Sequence, residues 1–216
     1  MAYRLNSWRL FWLLALAVSV VICLGLPHRD FHTARDTEYM VLRSVRASLP
    51  LFLVAFTASA LAVLWPHPFT RWLLANRRYF GLAFALGMAW HLSFVAYFLS
   101  RFGNHINLRA ELADVVGLVF LIAMTVTSFR PVSRHLSMRA WRALHKTGIY
   151  AIWLLVLYIY QGGARGQRDA LHVVGVAVLL GACSLRVFAR LRLRRARPGG
   201  TASGRIEPLG AAQRRP

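Results

Sequence analysis

Cysteine is almost missing from this chain: two thiols occur in 216 residues, Cys23 and Cys183, each inside an apolar run. Two isolated cysteines exclude a cysteine-based zinc site and a disulfide framework, and read as inert buried thiols. Carboxylates are nearly as scarce, with 7 Asp and Glu against 27 Lys and Arg, and none lies deep in an apolar run. Transporters of ions or protons carry ionisable groups at mid-membrane, often on broken helices. Neither feature is visible, which disfavours a small-solute transporter. A phosphate-cradling loop, a nucleophile elbow, a kinase motif and a lipidation signal are also lacking, and there is no internal repeat.

What fills the chain is hydrocarbon. Hydrophobic residues make up 57% of it and charged residues only 16%, where a soluble domain carries about 25% charged residues. The formal net charge of +20 raises nucleic acid as a partner. The basic residues, however, sit in short segments between apolar runs, so membrane topology explains them and nucleic acid is not expected.

A spanning helix needs about 20 mostly apolar residues. Six segments qualify: 8–26, 49–65, 79–100, 112–129, 141–160 and 170–188. The fifth is the weakest, reaching full length only if Arg142, His145 and Lys146 are counted within it. The first resembles a signal peptide, but its apolar core is long and no small-x-small cleavage site precedes Pro27, so it is read as a helix. The expected architecture is an all-α integral membrane bundle of six transmembrane helices, antiparallel through short connections. Residues 1–7 form a short N-terminal segment, 8–188 the membrane domain, and 189–216 a basic tail expected to be disordered.

Charge sets the orientation. With the N-terminus in the cytoplasm, inner segments hold 19 of the 27 basic residues, including Arg77, Arg78, Arg130, Arg134 and the arginines from Arg186 onward. Outer loops then hold Asp30, Asp36, Glu38, Glu111, Asp114 and Asp169. Cytoplasmic enrichment in Lys and Arg therefore predicts N-in and C-in, in a plasma membrane of the bacterial inner-membrane type.

Histidine is the remaining source of chemistry. His28, His32, His67, His105 and His135 fall in loops, where solvation is the default. His172 is near the outer end of the sixth span and His145 near the inner end of the fifth. Only His91 sits well inside a span, about 18 Å beyond Tyr79 at 1.5 Å per residue. An imidazole in hydrocarbon needs an interhelical hydrogen bond, or a metal or haem iron. Phe84, Gly87, His91, Phe94 and Phe98 share one helix face by their spacing of three and four. Gly87 then leaves room for a flat macrocycle between phenylalanine walls. The plain alternative is that the aromatic stripe is helix packing and Gly87 a close helix contact.

The segment Arg77-Arg78-Tyr79-Phe80-Gly81-Leu82, followed by Ala89-Trp90-His91, resembles the third helix of the ferric reductase-like transmembrane domain family. The nearest likeness is to the haem-binding membrane subunits (MsrQ type) of bacterial periplasmic methionine sulfoxide reductase systems. Thr127-Ser128-Phe129, then Trp141-Arg142-Ala143-Leu144-His145-Lys146 and Ile149-Tyr150, is similar to that family's lead into its fifth helix. The resemblance covers roughly residues 45–160.

The resemblance implies one-electron transfer across the membrane through one or two b-type haems held by histidines of the third and fifth helices. Carried over by position, His91 is the outer ligand and His145 the inner one. Where the family has a second histidine thirteen residues after the first, this chain has Tyr158. Tyrosine ligates haem iron in catalase and would lower the potential, and His172 is the stand-in; an interfacial aromatic belt is the ordinary role for Tyr158. Periodicity does not single Tyr158 out, because it lies about 140° around the helix from His145. Arg77 is the residue expected to approach an inner haem's iron or its propionates, although positive-inside topology also accounts for it. Only 28 residues follow Phe188, too few for a flavin or nicotinamide domain. Electrons would come from quinol or a separate flavoprotein, so quinone or FMN enters through a partner, and a separate reductase on either side accepts them. The competing expectation is a non-redox membrane protein that keeps this fold without haem, a reading that Tyr158 favours.

Overall fold

The computed structural model describes residues 8–28, 31–103, 108–166 and 170–195. Within these residues the chain is helical throughout, with no strand: α1 (Trp8–Cys23), α2 (Ala34–Leu64), α3 (Pro68–Phe102), α4 (Leu108–Val126), α5 (Arg130–Ser133), α6 (Met138–Gly166) and α7 (Ala170–Arg195), with one 3-10 turn at Leu26–His28. Four helices are long and apolar enough to cross a membrane: α2, α3, the Met138–Gln161 part of α6, and α7. Trp8–Cys23 and Asp114–Val126 are shorter apolar helices.

Helix ends differ from the expected spans, and the causes are local. Helix α2 starts fifteen residues before Leu49 because Thr33 caps it: its hydroxyl accepts from Asp36 N at 3.3 Å and donates to the Asp36 carboxylate at 2.9 Å. Helix α3 starts at Pro68, where proline at the first position costs no hydrogen bond and the His67 ring accepts from Phe69 N at 3.3 Å. Hydropathy found the apolar part of each helix and missed its polar extension. At the other end of the chain, residues 189–195, expected to be disordered, continue α7. The rest of the expected tail, the N-terminal segment 1–7 and His105 lie outside the described residues.

Helices consecutive in the chain run in opposite directions, whereas α2 and α7, which pack together, run the same way. At one end, Arg43 of α2 donates to Val21 O of α1 (2.6 Å) and Tyr97 of α3 to Phe31 O. At the other, Arg186 of α7 donates to Phe56 O of α2 at 2.7 Å, Arg192 to Leu64 O, and the Trp141 indole N–H of α6 to Thr127 O beyond α4. The α2–α3 seam is the most extensive; α4 packs on α6, and α7 on both α2 and α6. Aromatic residues tie these seams together, with Phe52 against Phe84 (5.2 Å between centroids), Phe56 stacked on Trp153, and the Trp153 N–H donating to Leu179 O at 3.0 Å.

In a bilayer the helices gain little from burying apolar surface against one another, so close packing through small residues matters most. Gly87 is such a residue. A Cβ there would collide with the Ser48 side chain of α2 and touch Val18 of α1. The space expected to admit a macrocycle beside His91 is therefore occupied by protein, and Gly87 is a close helix contact. Its buried neighbours Ser44 and Ser48 satisfy their hydroxyls within α2, bonding Val41 O and Ser44 O at 2.7 Å each.

Candidate functional site

The end of the bundle where α2, α4 and α7 finish and α3 and α6 begin encloses a cavity of about 840 Å³. That volume lies within the range of small-molecule and cofactor sites. Its floor is apolar, with Phe52, Phe84, Leu121, Met124 and Ile152. Its walls and mouth carry Arg77 and Arg78 from α3, Arg130 from α5 and Arg134 just after it, Arg142 and Lys146 from α6, and Arg186 from α7. No Asp or Glu lines it among the described residues. The break between α4 and α6 makes this opening: Pro131 is tolerated in the first turn of α5 but cannot continue α4, and the short turn carries Arg130, with Arg134 just after it, to the mouth.

His145 lines this cavity from α6. Its ring stacks on Trp141, one turn earlier, at 4.2 Å between centroids and 28° between planes. Its Nε2 lies 3.1 Å from the Thr127 hydroxyl, whose own hydrogen goes to Ala123 O at 2.6 Å. The Thr127 oxygen must then accept from His145, which puts the proton on Nε2 and the ring's lone pair on Nδ1. Thr127 and Trp141 thus fix the plane of the imidazole and leave Nδ1 as the nitrogen able to ligate iron. Arg77 shares the cavity and lies close enough to act on the charge of His145. The sequence placed these two residues near one end of the chain's membrane part; the fold brings them to one cavity.

His91 is elsewhere. Its Nδ1 is 3.1 Å from Val41 O and 3.3 Å from the Ser44 hydroxyl, across the α2–α3 seam. The hydroxyl hydrogen of Ser44 goes to Val41 O, so an Nδ1–H donating to Val41 O accounts for that nitrogen and leaves the ring's lone pair on Nε2. Asp114 of α4 is within electrostatic reach of it. His172 is buried, 6% exposed, with its ring 5.7 Å from that of Tyr160 on the α6–α7 seam. His91 and His172 thus face different seams. Tyr158 is 62% exposed and points out of the bundle, as its rotation from cavity-facing His145 requires. Its expected place as a ligand beside His91 is not where the fold puts it. Tyr158→Phe should leave any visible absorption spectrum and the amount of inserted protein unchanged; a shifted spectrum would return the residue to the site.

Tyr160, Trp141 and Thr127 were missed as site or seam residues. Tyr160, buried against His172 and Gly175, has the polar handle and depth that the sequence reading assigned to Tyr158. Among the described residues no three of His, Cys, Asp and Glu come together as a metal cluster. Haem needs no such cluster, only one or two axial donors and room for the ring. That requirement fits the residues around His145. It does not fit those around His91 in this arrangement, where Ser48 fills the Gly87 side.

Comparison with models of known families, with curated proteins and with solved structures finds no match to this chain.

Proposed function

We propose that this chain is a haem b-binding electron-transfer protein of the plasma membrane, with six membrane helices and both ends in the cytoplasm. The observation that carries the reading is the cavity that joins an oriented histidine, an apolar floor and a wall whose charged residues are all cationic among those described. His145 would supply an axial nitrogen, and Arg77 and its neighbours would balance carboxylates at the haem edge. Bound there, the group would supply one-electron exchange between ferric and ferrous iron. The chain's own part is to orient His145 through Thr127 and Trp141, to keep water from the apolar floor, and to raise the potential through nearby positive charge. Donor and acceptor would be separate proteins or quinol.

The decisive measurement is a pyridine haemochrome assay with a reduced-minus-oxidised spectrum on protein purified from haem-sufficient cells. A b-type signal is expected, and a colourless folded preparation sinks the reading. Colourless protein would favour the second reading, a non-redox membrane protein with the same fold, which the close Gly87–Ser48 contact and the outward Tyr158 support. We assign one haem, at the inner end. His91→Ala should then leave the spectrum intact, and loss of a signal would restore a second, outer haem.

The topology carries its own test. Reporter fusions after Arg190 and within 130–139 should read as cytoplasmic, and fusions near Asp36, Asn104 and Gly166 as external. A cytoplasmic reading at Gly166 would mean that α6 does not cross, and the six-span count would fall.

A further inference from the structure

We propose that the cavity is a receptor for the acid group of an amphiphile, with Arg186 and Arg78 holding its carboxylate or phosphate and Phe52 and Phe84 facing its apolar body. The inference rests on the functional reading's choice of this cavity and adds the chemistry of the ligand's polar end.

Arg186 is half-buried where α7 meets α2 and α6. One of its terminal nitrogens donates to Phe56 O at 2.7 Å, and its guanidinium carbon is 4.3 Å from the centroid of the Phe56 ring and 4.9 Å from that of Tyr150. All of these partners are neutral. Arg78 is similar: its guanidinium carbon is 5.9 Å from the Trp8 ring and 5.7 Å from that of Tyr79. Its Nε is buried and has no hydrogen-bond partner among the described residues. Both side chains line the cavity.

Aromatic faces and a carbonyl hold a cation in place but do not cancel its charge. Positive-inside topology accounts for arginines at the water boundary. It gives no reason for a guanidinium wedged between rings where helices meet, where an uncompensated charge is costly. A guanidinium carries five N–H donors in a planar fork suited to an oxyanion, and the Phe56 carbonyl with the Tyr150 hydroxyl leaves the rest of Arg186's donors for a ligand. With no carboxylate among the described lining residues, the counter-charge comes from outside the chain. A small inorganic anion would leave the phenylalanine floor uncovered, so the ligand has an apolar body. Two sources share that chemistry: a carboxylate-bearing cofactor and an anionic lipid headgroup.

The test uses the full chain in neutral detergent and two ligand pairs. One is iron-free protoporphyrin IX against its dimethyl ester, titrated by fluorescence; the other is phosphatidylglycerol against phosphatidylcholine, followed by native mass spectrometry. The acid should bind about tenfold or more tighter than the ester, the scale of one charge-assisted hydrogen bond. Arg186→Gln should erase that preference, Arg186→Lys should retain part of it, and Arg139→Gln, outside the cavity, should leave it whole. A phosphatidylglycerol preference lost in Arg186→Gln, with indifferent porphyrins, supports the same receptor and makes a headgroup the source. Indifference in both pairs overturns the proposal, as does a preference that survives Arg186→Gln. The wild-type comparison decides even if that variant fails to fold. Because neither pair contains iron, acid preference in a chain without haem would sink only the haem reading, and a haem protein indifferent to both pairs would sink only this one.

Discussion

His145→Ala should strip the haem signal from the purified protein while leaving the amount of inserted protein near wild type. Removing an axial nitrogen should cost more than the roughly 10–100-fold in affinity that follows from losing a group that only orients a ligand. Thr127→Val supplies that lesser case. It keeps the β-branched shape at a buried position and deletes the hydroxyl that accepts from Nε2. Haem content should therefore rank wild type, Thr127→Val, His145→Ala, as measured by pyridine haemochrome per mole of protein. Equal content in wild type and His145→Ala would remove His145 from the site and take the functional reading with it. A smaller effect in His145→Ala than in Thr127→Val would mean that Thr127 acts through packing and not through the ring.

Gly87→Leu should cause the largest loss of stability. A single Cβ at this position already meets Ser48 on α2, and both helices are held by many other contacts along the same seam. Overpacking of this kind costs about 1–3 kcal/mol and sometimes more. Gly81, on the same helix with nothing within 4 Å of an added Cβ, is the matched control. Gly81→Ala should be neutral, or stabilising by about 0.5–1 kcal/mol from helix propensity. Gly87→Ala should lower the thermal midpoint in detergent, and adding Ser48→Gly should recover most of that loss, because the clash needs both side chains. If the Gly87 and Gly81 variants melt alike, the α2–α3 seam is looser than its geometry indicates.

Much of the membrane character was legible because hydrophobic runs report the solvent directly. The apolar parts of α2, α3, α6 and α7 were all visible as candidate spans. Helix ends were not, because a capped helix continues through polar residues that hydropathy counts as loop, as at Thr33 and His67. The weakness assigned to the fifth span has a physical counterpart: Arg142, His145 and Lys146 line the cavity at the start of α6.

The amino-acid pattern by itself determined that the chain lies in a membrane and how its charge divides between the two ends, since transfer free energies depend on local composition. It also determined the rotation of Tyr158 away from His145, which follows from 100° per residue. Which histidine meets a cavity was decided only by tertiary structure. His91 lies among apolar neighbours and His145 between Arg142 and Lys146 at a span's end, and neither pattern says which one meets a cavity: His91 bonds a backbone carbonyl on α2, and His145 faces open space lined by arginines from four helices. Gly87 could be a gap or a contact until Ser48 was seen opposite it. These outcomes depend on which helices become neighbours, and no single helix encodes that choice, because a side chain's partners in a bundle come from segments far away along the chain.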